Sequence, residues 1–229
     1  LSNYVSENSF TVEKTSLDDK GWSLVNEDVQ SLLDKLKAVG KPLGEYVKGK
    51  IFRGVTTGLN EAFVIDEEIK ARLIKEDLKS AELIKPFLLG KDIKRYELHS
   101  KNRYLIFTRR GVDIKQYSAI QKYLLAFKEK LMPKPKDWRS DYWKGRKPGL
   151  YKWYEIQDST DYFPEFEKPK VMLPDISLKG NFTFDEDGQY CANTAYIIGN
   201  SDKYLLGILN ARLTTFIYKG MSSTYRGGY

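Results

Sequence analysis

An α+β fold is what this 229-residue sequence predicts. Strand-forming stretches come in close pairs separated by tight turns, helical stretches are few, and the two do not alternate as a βαβ chain would. From Phe10 to Val25 the residues read as one or two strands around an acidic turn at Asp18–Gly21. A helix follows, capped by Asn26. Glu27 and Asp28 suit its positive end, Val29, Leu32, Leu33 and Leu36 share one face, and Gly40 and Pro42 end it.

Ile51–Val55 and Phe63–Ile65 have the β-branched and aromatic character of two short strands. Between them Gly54 and Gly58 permit unusual backbone angles, and Thr56, Thr57 and Asn60 offer side-chain hydrogen bonds. The plain reading is a hairpin that bends at Gly-Leu-Asn. Asp66–Leu73 begins helical, and Lys75–Ile84 reads as a short helix before Pro86. Arg103–Thr108 is a strand, and Ile114–Leu131 is a helix with Ile120, Leu124, Phe127 and Leu131 spaced for burial. Further strands are predicted at Trp153–Ile156, Lys170–Leu173, Phe182–Phe184 and Tyr190–Ile198, then a helix over Asp202–Tyr218 capped by Ser201 or Asp202.

Composition narrows the function. The formal charge is +7, 41% of residues are hydrophobic, and no apolar run approaches the roughly 18 residues of a membrane span. The single cysteine, Cys191, excludes an internal disulfide and a multi-cysteine metal site, and a buried thiol is expected in its strand-like run. That profile suits the cytoplasm. The chain opens without methionine and stops after an apolar helical run, so it reads as part of a longer protein.

The positive charge is concentrated between Pro133 and Trp153. Lys134, Lys136, Arg139, Lys144, Arg146, Lys147 and Lys152 face only Asp137 and Asp141, a local balance of +5. Trp138, Tyr142, Trp143, Tyr151 and Trp153 are interleaved with them, and three prolines and two glycines exclude a long helix. Such a loop suits a DNA groove. Its cations release counterions from phosphates, arginine reads guanine edges, and aromatic rings stiffen an exposed loop. The competing reading is a solvated loop whose tryptophans tuck into the core. Arg139 and Arg146 are the expected base contacts because of the guanidinium fork, and the lysines the expected phosphate contacts. Lys91, Lys94 and Arg95 at one turn and Arg109–Arg110 at another widen the basic face, while Asp92 can pair with a neighbouring cation. Lys179, Asn181, Tyr225 and Arg226 are weaker candidates.

Five ordered blocks resemble a known family: RGVTTGLNEAFVI (Arg53–Ile65), PFLLGKDIKRY (Pro86–Tyr96), WYEIQDSTDYF (Trp153–Phe163), KPKVMLPDIS (Lys168–Ser177) and YLLGILNARLTTFIY (Tyr204–Tyr218). Together they resemble the TaqI-like C-terminal specificity domain, the target-recognition part of adenine-N6 DNA methyltransferases and of combined restriction–modification enzymes. The resemblance spans residues 42–229, leaving 1–41 as an N-terminal strand–helix segment. It implies a mixed, twisted β-sheet with hairpins, flanking helices and a C-terminal packing helix. It also implies double-stranded DNA and an upstream methyltransferase domain as partners, with the Thr57–Asn60 hinge near the DNA or serving an internal role.

The catalytic parts of such an enzyme are absent from the sequence. There is no Asn-Pro-Pro-Tyr motif and no glycine-rich turn for S-adenosylmethionine, so both are expected in an upstream domain and no cofactor in this segment. Pro174–Asp175 lacks the Asp/Glu-x-Lys that would complete a nuclease motif, and His99, the only histidine, has no partners for a triad. The leading expectation is a non-catalytic DNA target-recognition domain. The alternative is a protein-docking module with secondary DNA contact, in which Leu205, Leu206, Leu209 and Phe216 form a docking stripe instead of the commoner core stripe. A hydrolase built on the acidic tip Asp185–Asp187 ranks last.

Overall fold

A computed structural model describes residues 2–12, 14, 27–140, 142–177 and 179–221. The chain divides into two compact units, Leu1–Tyr46 and Val47–Tyr229. The first contains helices α1 (Ser2–Asn8), α2 (Glu27–Val39) and α3 (Leu43–Tyr46). Ser9–Val12 is irregular rather than extended into a strand. The other strand residues expected before Val25, the Asp18–Gly21 turn and the Asn26 cap fall almost wholly outside the described residues.

The second unit is built on two four-stranded sheets and a small hairpin. The first sheet runs β1 (Ile51–Arg53), β10 (Ala195–Ile198), β7 (Lys170–Pro174), β8 (Thr183–Asp185), antiparallel throughout. The second runs β2 (Val64–Asp66), β6 (Arg103–Ile106), β3 (Ile84–Leu88), β9 (Tyr190–Cys191), with β3 and β9 parallel. Strands β4 (Ile93–Lys94) and β5 (Glu97–Leu98) form the hairpin of the GKDIKRY segment. The α+β class holds, with mixed sheets and flanking helices.

The hairpin expected across Gly54–Asn60 is not formed. Ile51 pairs with Ile198 in one sheet and Val64 with Leu105 in the other. Long-range bonds at the glycine hinge make the division. Gly54 N–H donates to the Ala195 carbonyl (2.8 Å), Val55 N–H to Cys191 (2.7 Å), and Val55 accepts from Asn193 (3.0 Å). A side chain at Gly54 would begin 2.1 Å from the Ala192 carbonyl oxygen, so only glycine allows the two backbones to cross there. The same crossing breaks the single strand expected over Tyr190–Ile198 into β9 and β10, one in each sheet. Between β1 and β2 the chain makes a short helix, α4 (Asn60–Phe63).

Other boundaries shift for local reasons. Helix α5 (Glu67–Glu76) is capped by Asp66, whose carboxylate accepts from Ile69 N–H at 2.9 Å, and α6 (Ser80–Leu83) leads directly into the unforeseen strand β3. The helix expected over Ile114–Leu131 is a 3₁₀ turn at Ile114–Gln116, then α7 (Ser118–Leu125) and α8 (Lys128–Leu131). Trp153–Ile156 is a turn and not a strand. Ile156 N–H still reaches the Thr108 carbonyl, at 2.9 Å. The final helix is two, α9 (Lys203–Leu209) and α10 (Arg212–Met221), and Asp202 caps the first by accepting from Leu205 N–H at 2.7 Å. Asn210, between them, bonds both backbone groups of Phe182.

Phe63, Phe87, Leu105, Ile106, Ile120, Leu124, Leu131, Ile156, Phe166, Met172, Tyr190 and Ile197 belong to one continuous core. Burial pushes the Cys191 thiol up to about 12. Lys170 and Asp185, opposite each other on β7 and β8, form a fully buried ion pair, and the Lys170 ammonium also donates to the Phe166 carbonyl. Asp185 further accepts from the backbone N–H groups of Asp187 (3.2 Å) and Gln189 (2.9 Å). The acidic tip is therefore a locked turn, and its first carboxylate, taken up by Lys170 and two backbone N–H groups, is unavailable to a metal ion.

Candidate nucleic-acid interface

The loop after α8 is closed at its base like a drawn purse. Lys134 N–H donates to the Arg146 carbonyl (3.0 Å) and Arg146 N–H to Met132 (2.9 Å). Trp143 Nε1 also donates to Met132 (3.2 Å), and Gly145 fits between them because a Cβ there would lie 2.2 Å from the Met132 oxygen. Trp138 and Trp143 meet edge to face at 4.8 Å, and Trp138 Nε1 donates to the Tyr142 carbonyl (2.9 Å). The aromatic residues therefore stiffen the loop largely through one another. Trp138 remains 43% and Tyr142 74% exposed.

Arg146 corrects the expectation of a base contact. It is 4% exposed, and each of its five N–H bonds has a backbone carbonyl. Nε donates to Leu131 (2.8 Å). Nη1 donates to Thr57 (3.0 Å) and Glu155 (2.8 Å). Nη2 donates to Lys152 (3.3 Å) and Trp153 (2.9 Å). Its guanidinium lies 4.4 Å from the Tyr151 ring centroid and 5.6 Å from that of Phe63. Burial lowers the Arg146 pKa to about 10, which leaves it a cation at neutral pH. With no donor left over, it cannot reach a base edge.

The remaining predicted site residues divide by how they are held. Lys136, Arg139, Lys147 and Lys152 are exposed, and none forms an ion pair with a described residue. Lys152 lies 5.7 Å from the Tyr154 ring, and a hydrogen bond with the Tyr154 hydroxyl raises its pKa. Lys144 is paired with Glu129 at 2.8 Å, which raises its pKa also. Lys134 donates to the Ser140 carbonyl at 3.3 Å. Asp141 lies outside the described residues.

Thr57 and Asn60 turn to each other, the threonine hydroxyl donating to Asn60 Oδ1 at 2.6 Å and accepting from Leu59 N–H at 3.2 Å. Thr57 is buried and, through its carbonyl, serves Arg146. Arg95 donates to the Asn210 carbonyl at 2.7 Å, which anchors the β4–β5 hairpin to the end of α9. Asp92 pairs with Arg103, a bond that turns this charge inward. Lys91, Lys94, Arg109 and Lys179 are exposed, Asn181 donates to Ser177 Oγ at 2.9 Å, and Tyr225 and Arg226 lie outside the described residues. Leu205, Leu206 and Leu209 are buried, the commoner of that stripe's two readings, so they are not available for docking.

Sequence reasoning missed a cleft of about 660 Å³ beside the loop, lined by Arg110, Lys147, Leu150, Tyr151, Gln157 and Asp158 among others. Arg110 is an anchor and not a free cation. It donates to the carbonyls of Ile156 and Gln157, with Nη2 at 2.5 Å from the latter. The available signal was the WYEIQDSTDYF block, whose polar QDS follows residues that turn inward. Among the described residues no group of three or more metal-ligating side chains converges, and no helix is long and apolar enough to cross a membrane.

The sequence model of the TaqI-like C-terminal specificity domain matches residues 85–229, a stretch that contains the whole loop and the cleft. The chain belongs to that family. Among solved structures, this specificity domain is similar to the type IIL restriction–modification enzyme MmeI in complex with DNA, at 15% identity and a TM-score of 0.46 over 71% of this chain and 20% of that one. The chain thus spans about a fifth of that enzyme's length. No curated protein matches it. The Thr57 turn precedes the matched range, yet through Arg146 it is tied to the loop inside it.

Proposed function

We propose that the chain is the non-catalytic, sequence-specific DNA-recognition domain of a cytoplasmic restriction–modification adenine-N6 DNA methyltransferase. The methyltransferase domain and its S-adenosylmethionine site lie upstream in this reading. Family membership gives the class. The observation that carries the reading is the set of outward cations, Lys136, Arg139, Lys147 and Lys152, on a loop whose base is pinned by an inward one.

Four phosphate neutralisations give a slope of log K against log salt of about −3 to −4, or roughly a hundredfold loss of affinity between about 50 and 200 mM salt. Fluorescence anisotropy on a labelled duplex measures this directly, and an affinity flat in salt rejects the reading. A second reading, a docking module with secondary DNA contact, draws on Tyr204, Ile208 and Leu213, which are 72%, 45% and 49% exposed on α9 and α10. Charge reversal of Arg139 and Lys147 separates the two, because it removes DNA retention and spares a protein partner.

A further inference from the structure

We infer that Asp158, in the cleft beside the basic loop, reads the exocyclic amino group of a cytosine or adenine in the major groove. The inference rests on the DNA-recognition reading and names the base chemistry that the recognition selects. Asp158 is exposed on a wall shared with Arg110 and Lys147. A carboxylate on a surface that faces phosphates opposes binding unless it meets a hydrogen-bond donor. An ionised carboxylate only accepts, and the only hydrogen-bond donors that base edges present in the major groove are the N4 amino group of cytosine and the N6 amino group of adenine.

The residue is held as a reading head requires. Asp158 N–H donates to the Thr56 carbonyl (3.3 Å) and Gln157 N–H to Thr57 (3.2 Å), while Arg110 holds the Gln157 carbonyl from the other side. Gln157 Nε2 donates to Asp158 Oδ1 at 3.3 Å, which orients the carboxylate and leaves its second oxygen without a partner among the described residues. Gly58, at φ +80°, allows the approach. A Cβ there would stand 2.9 Å from Gln157 Cβ and 2.8 Å from Arg146 Cδ. The TTGLN turn thus supports the cleft from beneath. Asp161 lines the same cleft, but no hydrogen bond fixes its carboxylate to a described residue.

The signature differs from that of a phosphate contact. Asp158→Ala removes both the negative charge and the acceptor, so retention of bulk duplex holds or rises while one position of the recognised sequence loses its base preference by about tenfold. The test is selection from a pool of short duplexes with a randomised centre, using the 229-residue chain and its Asp158→Ala variant, with matched thermal melting as the folding control. Relaxation at one cytosine or adenine position alone supports the inference. Replacing that base with its analogue lacking the amino group then removes the preference of the unmodified chain and tells cytosine N4 from adenine N6. An unchanged motif in the variant overturns the inference and leaves DNA recognition standing. Duplex retention with no enriched position overturns it as well. No retention at low salt overturns the DNA reading itself.

Discussion

Two arginines seven residues apart in the same loop are expected to behave in opposite ways when removed. Arg146→Ala strips five carbonyls of their donor. Bonds from a charged donor contribute about 1.5 kcal/mol each at the low end, so the five together give about 7 kcal/mol. Against this stands the cost of holding the cation out of water. The net fall of its pKa from 12.5 to about 10, with burial its largest cause and the Tyr151 and Glu155 charges partly offsetting it, sets that opposing contribution at about 3 kcal/mol, at about 1.4 kcal/mol per pH unit. The net loss is about 4 kcal/mol, in the range of a broken buried network, and lowers Tm by about 10 °C in a domain of this size. Arg146→Lys keeps the charge and three donors and loses about half as much. Arg139→Ala, at an exposed position, changes stability by less than about 0.5 kcal/mol but makes the salt slope shallower by about one. Urea denaturation and anisotropy titrations on the three variants measure both quantities. An Arg146→Ala protein that melts like the parent and binds DNA with a shallower salt slope would refute the inward assignment.

Two further outcomes follow from the buried groups. Lys170→Met leaves Asp185 in the core without its cation, held only by two backbone N–H groups, and costs about 3–5 kcal/mol, whereas Lys170→Met with Asp185→Leu recovers most of that loss; denaturant midpoints of the two variants show whether the pair or only its satisfaction matters. Cys191 is expected to resist a thiol reagent at neutral pH in the native protein and react fully in urea. Because the fold holds the thiol proton more tightly than the unfolded chain does, Cys191 adds stability below pH 9.0 that declines as pH rises toward about 12. Melting temperatures across that interval, for the parent and for Cys191→Ala, isolate this contribution.

The legible parts of the fold were those decided locally. Arg103–Ile106 and Lys170–Pro174 carry enough β-branched and apolar character to be strands in most surroundings, and Asp202 and the leucines after it are a helix start by their own chemistry. The Gly54 hinge was legible as a place of unusual backbone but not as a crossing. Its partners lie at Cys191–Ala195, and nothing near it in sequence distinguishes a turn to Val64 from a pairing with that distant segment. The same limit governed the site. The basic loop was visible as composition, but whether a cation points outward depends on which carbonyls the fold leaves open, and those that Arg146 serves come from three separate stretches. Asp185 looked like a solvated turn acid because its partner, Lys170, sits fifteen residues away on the neighbouring strand.

A loop rich in proline and glycine cannot satisfy its own backbone as a helix or sheet would, and carbonyls buried without donors are costly. Arg146 resolves this by spending one cation of the loop's positive balance on the carbonyls beneath it, and Arg110 does the same for Ile156 and Gln157. The outward cations and the Asp158 wall then stand on one hydrogen-bonded base, because the Thr57 carbonyl accepts from both Arg146 and Gln157 N–H. A lysine at 146 has too few donors for that base, and a neutral residue has none of the strength of a charged one. On the proposed reading, exchange of specificity between members of the family is therefore expected to tolerate changes at Asp158 and to fail at Arg146 and Arg110, since the first would change what is read and the other two hold the backbone beneath it.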